Sequence, residues 1–114
     1  MDPKILESKL ATMMDEIPEI EGLLAFDYNG KLICGQTLTE LDKDKLIVFS
    51  REIFKNCSEL ASSADKGKVA TITITTDRGY LIIEMKQDFS ILALLGAEAA
   101  SSLSLVIRSL KVAL

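Results

Sequence analysis

Residues 22–36, GLLAFDYNGKLICGQ, decide the fold because they place a tight turn between two apolar segments. Asn29 and Gly30 form the turn, and both residue types tolerate the positive φ angles that a two-residue hairpin turn requires. The flanking segments therefore predict two antiparallel strands, over about residues 22–28 and 31–36. The rest of the element order follows by working outward from this hairpin.

A helix is predicted before the hairpin, over about residues 3–15. Asp2 is a candidate N-cap, and Pro3 suits the first helical position, where its missing N–H leaves no bond unmade. Pro18 ends the helix. Apolar residues recur on one face at helical spacing, namely Leu6, Leu10, Met13, Met14 and Ile17.

After the hairpin, Asp42 can cap a second helix over about residues 43–64. Three strands follow, over about residues 68–75, 80–85 and 90–95, and their short connections require antiparallel pairing. A third helix begins near residue 97 and runs to the end of the chain. The 114 residues fit a single domain. The sequence thus predicts an α+β fold (an α/β sandwich) with a five-stranded antiparallel sheet in the order α-ββ-α-βββ-α.

The composition favours a soluble domain with a proper core. Hydrophobic residues make up 48% and charged residues 26%. The net charge of -4 and the absence of Trp weigh against a nucleic-acid partner. The chain contains no secretion signal or convincing membrane span, so we expect a cytoplasmic protein without direct membrane insertion. Cys34 and Cys57 are then small hydrophobic residues in a reducing compartment.

The chain lacks the usual parts of an active site. It contains no histidine, no phosphate-binding glycine motif and too few cysteines for a zinc site, so we expect no enzyme activity, metal or cofactor. Glu84 lies among apolar residues of the fourth strand, where an ion pair or a solvent-reaching side chain is favoured over a ligand pocket. Nothing in the spacing of Arg51, Arg78 and Arg108 singles out a phosphate-stabilising group.

The second helix is unusually apolar around its surface. On a helical wheel, its apolar residues fill one arc of roughly 160°, whereas a one-sided surface helix needs about 100° or somewhat more. Only Ser50 interrupts the arc. One flank is therefore expected to pack on the sheet and the other on a second copy of the protein, unless a loop covers it; the sequence leaves open which flank is which. The arc consists of Phe49, Leu60, Ile53, Leu46, Ala64, Cys57, Ala61, Phe54 and Ile47.

The third predicted strand is expected at a sheet edge because its neighbours in sequence can pair on one side only. Natural edges are usually blunted by charge, proline or a bulge, but residues 69–75 carry neither charge nor proline. This strand could pair with its twin across a two-fold axis, unless another segment covers it. On the third helix, Leu105 and Val112 lie almost opposite the core face and could contact the first helix or a partner.

The chain resembles the roadblock family (dynein light-chain type). The resemblance rests on residues 20–36, with Gly22-Leu23-Leu24 and the Asn29-Gly30 turn, and on residues 70–95, with the run TTDRGYLII at 75–83 followed by Asp88 and an apolar strand. It covers nearly the whole chain. Longin and profilin-like folds share part of this layout.

The resemblance implies that the central helix covers one face of the sheet and the terminal helices cover the other. It also implies dimerisation through the central helix and third strand, with itself or with another roadblock-like protein. Family members are scaffolds or regulators of small Ras-like GTPases or light chains of dynein motors, and they share no catalytic residue. The implied dimer contacts in this chain are Ile47, Phe54, Cys57, Ala61, Val69, Thr71 and Thr73.

Two other functions remain open at this stage. A small-molecule sensing domain of the profilin, PAS or GAF type would also combine an antiparallel sheet with helices, and it predicts a closed pocket lined by polar groups. A structural, light-chain-like subunit of a larger complex would prefer a different roadblock-like partner over itself.

Overall fold

A computed structural model of the protein describes residues 2–112. It contains a five-stranded sheet, three α-helices and one short 3₁₀ segment before the last helix. The elements are, in chain order, α1 (Pro3–Glu16), β1 (Ile20–Asp27), β2 (Leu32–Thr37), α2 (Lys43–Ser63), β3 (Thr71–Thr76), β4 (Gly79–Met85), β5 (Phe89–Gly96), the 3₁₀ segment (Ala97–Ser102) and α3 (Leu103–Val112).

Both predicted N-caps are confirmed. The Asp2 carboxylate accepts a hydrogen bond from the Lys4 backbone N–H at 2.9 Å, and Pro3 occupies the first turn of α1. The Asp42 carboxylate accepts from the Lys45 N–H at 3.1 Å at the start of α2. These bonds satisfy backbone donors that have no partner within the first helical turn.

The β1–β2 hairpin is held by its turn. The Asp27 carboxylate accepts backbone hydrogen bonds from Asn29 and Lys31, both at 2.9 Å. Gly30 has a φ of 86°, a conformation that costs glycine little. A Cβ at Gly30 would also lie 2.6 Å from Nη1 of Arg51, so the turn and α2 pack closely here.

The strands are arranged in the order β2-β1-β5-β4-β3, and every neighbouring pair is antiparallel. The expected edge position of the third strand is confirmed. All eight residues of β5 are buried because helices cover both faces of the sheet centre.

Each face of the sheet has its own core, and the layer arrangement that the resemblance implied is confirmed. The α1 and α3 residues Leu6, Leu10, Val106 and Leu110 pack on one face, around Ile82. On the opposite face, Ile47 of α2 packs with the sheet residues Leu24, Phe26, Ile83, Leu92 and Leu94.

Most element boundaries differ from the sequence prediction by one or two residues, and two differences are larger. Strand β3 begins at Thr71 instead of residue 68, although the Ala70 carbonyl still accepts from the Met85 N–H at 2.9 Å. The last helix starts as a 3₁₀ turn, which is frequent at helix N-termini, and becomes α-helical at Leu103. Ala113 and Leu114 lie outside the described residues.

Candidate interaction surface

The orientation of α2 is set by its two fully buried residues. Ile47 and Ser50 face the sheet. The Ser50 hydroxyl donates to the Leu46 carbonyl one turn earlier, at 2.8 Å, so it needs no partner from the sheet. The open question of which flank faces outward is thereby answered. The apolar excess lies toward β3, where Leu46, Phe49 and Ile53 line a small cavity with Ile74 and Leu81.

The outward side of α2 exposes large apolar groups. Phe49 is 52% exposed and Leu60 is 70% exposed. Large apolar side chains exposed together on one helix face typically mark an interaction site. We call Leu46, Phe49, Ile53, Cys57 and Leu60 the α2 flank. The α2 flank lies beside the free edge of β3, so the exposed apolar side chains and the unpaired strand edge form one continuous surface.

The outer edge of β3 is regular and unprotected. Because the Met85 N–H bonds to the Ala70 carbonyl and antiparallel pairs alternate, the backbone groups of Ile72 and Ile74 also turn toward β4. Those of Thr71, Thr73 and Thr75 turn outward. The β3–β4 register contains no bulge, and no strand within residues 2–112 pairs with this edge.

The other edge of the sheet, β2, is protected. Its register with β1 shifts at Ala25 and Phe26, which marks a bulge. Gly35 has a φ of 134°, and a Cβ there would lie 2.1 Å from the Leu23 carbonyl oxygen. Bulges and distorted backbone are the usual means of blunting an edge. Of the two edges, β3 is therefore the one suited to strand pairing.

The residues that the resemblance assigned to a dimer contact fall into two groups. Cys57, Ala61, Val69 and Thr71 are half-buried and Thr73 is exposed, all near the helix and strand concerned. Ile47 is 1% exposed and belongs to the chain's own core.

Phe54 is half-buried and lines a cavity on the other side of α2 with Phe26 and Ile83. We therefore remove Ile47 from the proposed contact because its side chain is buried in the chain's own core, whereas a partner contact of Phe54 stays a prediction. Phe49 and Leu60, which lie at one end of the apolar arc on the helical wheel, are added to the proposed contact.

Leu105 and Val112 are 54% and 78% exposed on α3. They lie seven residues apart on the outward side of the helix, as expected, and a partner contact there stays a prediction.

Glu84 and Arg51 have structural roles. Glu84 is 3% exposed, accepts a hydrogen bond from the Thr71 hydroxyl at 2.6 Å, and forms an ion pair with Lys111 at 3.5 Å. The expected ion pair is thus present. The Arg51 guanidinium donates to the Tyr28 carbonyl at 3.1 Å and ties α2 to the hairpin turn.

Two kinds of feature are absent from the described part of the chain. Among residues 2–112, no group of three or more His, Cys, Asp or Glu side chains could hold a metal ion. None of the helices described is both long and apolar enough to cross a membrane.

The element order, the helix layers and the free β3 edge beside an apolar α2 define a roadblock-type α+β domain. The Roadblock/LC7 domain family model matches residues 9–96. Since this is most of the chain, the protein belongs to the Roadblock/LC7 family. A comparison with curated proteins found no match.

Solved structures agree with this assignment at the level of the fold. MglB of Myxococcus xanthus is 13% identical, with a TM-score of 0.84 over 96% of this chain and 82% of its own. A Roadblock/LC7 domain from Streptomyces avermitilis is also 13% identical, with a TM-score of 0.74 over 92% of this chain and 93% of its own. The gliding protein MglB of Thermus thermophilus is 15% identical, with a TM-score of 0.74 over 88% of this chain and 77% of its own.

Proposed function

We propose that the protein is a non-enzymatic, cytoplasmic scaffold or regulator that forms a homodimer and binds a small Ras-like GTPase. The observation that carries the proposal is the unpaired, bulge-free edge of β3 beside the apolar α2 flank. Family membership supports the GTPase partner, because scaffolding or regulating such GTPases is one role of roadblock proteins. A dynein-type structural light chain is the other role in the family.

A second copy is the simplest occupant of this surface. Two β3 strands related by a two-fold axis would pair antiparallel and join both sheets, and the same axis would bring the two α2 flanks together. Burying a fully exposed side chain of this size contributes about 1.5–3 kcal/mol, and Phe49 and Leu60 would gain the part that corresponds to their exposed 52% and 70%. The contact would thus satisfy the outward backbone groups and cover the exposed apolar side chains at once.

Cross-linking of Cys57 tests the arrangement of the dimer. Cys57 is half-buried on the α2 flank, whereas Cys34 is buried in the core of the other sheet face. A short bismaleimide linker should join two copies through Cys57, and Cys57→Ser should abolish the product while Cys34→Ser leaves it. A wild type that stays monomeric at high concentration in light scattering would refute the homodimer.

The GTPase partner is tested by recovering the tagged protein from its native host and identifying GTPases that co-purify. Each candidate is then assayed for binding in its GDP and GTP forms and for nucleotide turnover. We expect at least one GTPase to bind the dimer with a preference for one nucleotide. Recovery of a second roadblock-like protein in place of a twin copy would instead support the light-chain-like subunit of a larger complex.

A further inference from the structure

A groove runs along the side of α2 that faces away from the α2 flank. It consists of two adjoining cavities of about 480 and 730 Å³, which share Tyr28, Phe54 and Met85 as lining residues. Its apolar lining includes Phe26, Ile83 and Val69. The α2 residues along it extend from Val48 to Ser62, which corresponds to roughly 21 Å at 1.5 Å per residue. We call it the α2 groove.

The α2 groove is cationic although the whole chain is acidic. Arg51, Lys55, Lys68 and Lys86 line it, against the carboxylates of Asp27 and Glu52. The one ion pair within residues 2–112 joins Lys111 to Glu84. The four cations that line the groove therefore have no carboxylate within 4.0 Å in this part of the chain. Arg51 and Lys86 instead donate to the backbone carbonyls of Tyr28 and Lys111. A complementary occupant is therefore apolar and acidic.

The chain itself exposes a segment with this chemistry. Between β2 and the first turn of α2, Leu38 and Leu41 are 67% and 45% exposed. They lie among the exposed acids Glu40, Asp42 and Asp44, with the half-buried Lys43 between the last two. We call residues 38–44 the acidic loop. Two exposed leucines next to three carboxylates match both the apolar floor and the positive charge of the α2 groove.

The acidic loop is already ordered for binding. Its first N–H, that of Leu38, donates to the Glu21 carbonyl at 2.8 Å. The Thr37 hydroxyl donates to the Thr39 carbonyl at 2.6 Å, and Asp42 caps α2 at the other end of the loop. Because little freedom is lost on docking, even a small contact of this kind retains much of its binding energy.

We propose that the acidic loop of one copy binds in the α2 groove of another copy. The contact joins different surfaces of the two molecules, so it is head-to-tail and builds chains or rings instead of a closed pair. It uses neither β3 nor the α2 flank, and it shares with the implied dimer contact only Phe54 and Val69, which line the groove. Head-to-tail association therefore links homodimers where these form, and it persists where they do not.

Sedimentation velocity of the full chain over a range of concentrations tests this contact. We expect the average mass of the wild type to keep rising with concentration past any dimer at low ionic strength, and to rise much less in about 0.5 M salt, where charges are screened over a few ångströms. Lys55→Glu in the groove and Glu40→Lys in the loop should each weaken the association about tenfold or more. The matched control is Lys9→Glu, an exposed α1 residue that lines neither the groove nor the loop.

A mixture gives the sharpest result. Lys55→Glu leaves the groove without net charge but keeps the native loop, and Glu40→Lys leaves the loop without net charge but keeps the native groove. A mixture therefore restores one native contact and should associate more strongly than either variant alone. Thr73→Pro, which removes a donor from the β3 edge, should leave the head-to-tail contact intact. The proposal is overturned by a wild type whose mass does not grow, by an equal loss with Lys9→Glu, or by a mixture that associates no more strongly than either variant alone.

Discussion

The Thr71 hydroxyl donates a hydrogen bond of 2.6 Å to the carboxylate of Glu84, directly across the β3–β4 pair. The backbone of Thr71 turns to the free edge of the sheet, whereas its side chain serves a carboxylate that is 3% exposed. Lys111 approaches the same carboxylate from α3 at 3.5 Å. The edge strand and the last helix are therefore joined through one buried charge.

We expect Lys111→Met to lower the free energy of unfolding by about 1–2 kcal/mol, because it removes the ion-pair partner of the buried Glu84 carboxylate. Adding Glu84→Gln removes the charge and keeps an acceptor for Thr71, so the double variant should lose less than Lys111→Met alone. Urea unfolding at fixed protein concentration measures both. Arg108→Met is the control on the same helix, and a similar loss there would contradict the ion-pair explanation.

Alanine substitution at Gly35, with Gly67 as the matched control, tests how rigid the distorted backbone of the β2 edge is. Both have positive φ, but a Cβ at Gly35 would lie 2.1 Å from the Leu23 carbonyl oxygen, whereas nothing lies within 4 Å of one at Gly67. Gly67→Ala should cost about 1 kcal/mol, and Gly35→Ala about 3 kcal/mol or more, because the backbone must also move. Equal losses in thermal unfolding would show that the β2 distortion is easily relaxed.

Phe49→Asp and Phe54→Asp should have different effects. Phe49 is 52% exposed on the α2 flank, so a charge there should dissociate the proposed dimer and leave the monomer fold intact. Phe54 lines the α2 groove beside Ile83, so a charge there should lower the stability of the monomer itself. Light scattering and circular dichroism separate the two results. A dimer that survives Phe49→Asp would remove the α2 flank from the subunit contact.

The two thiols should differ in alkylation by iodoacetamide. Burial, with a smaller effect from the Glu7 charge, raises the pKa of Cys34 above its ordinary value of 9.0. Cys57 should react first, and Cys34 only on unfolding, since the thiolate is the nucleophile. Mass spectrometry of modified peptides over time measures the order, and equal rates would contradict the burial of Cys34.

The raised pKa of Cys34 predicts a loss of stability at alkaline pH. The folded state holds the Cys34 proton more tightly than the unfolded state. The resulting contribution to the free energy of unfolding is fully present below the ordinary thiol pKa and disappears as the pH rises through the raised pKa of the folded state. Cys34→Ala should flatten this alkaline component in unfolding curves, whereas Cys57→Ala should leave it unchanged.

The elements and their order could be predicted because their signals are local. The Asn29-Gly30 turn and the caps at Asp2 and Asp42 act within a few residues, and short connections decide antiparallel pairing. The edge position of β3 followed from chain order alone. The start of β3 was not predictable because it depends on where β4 ends. The 3₁₀ segment was not predictable because it depends on where the sheet ends.

The orientation of α2 could not be predicted from its apolar arc. An apolar residue that faces the sheet and one that faces a partner have the same chemistry, so the sequence does not separate Ile47, which is buried in the chain's own core, from residues of a subunit contact. Ser50 was the informative residue. It interrupts the arc, yet its hydroxyl bonds within the helix, and it marks the face that is buried.

The bulge and the distorted Gly35 in β2 limit how far the sheet can extend. With one rim accessible and the opposite rim closed, strand addition stops after a single step, so pairing through the backbone has a built-in stoichiometry of two. Any larger assembly of this protein has to be made by side chains.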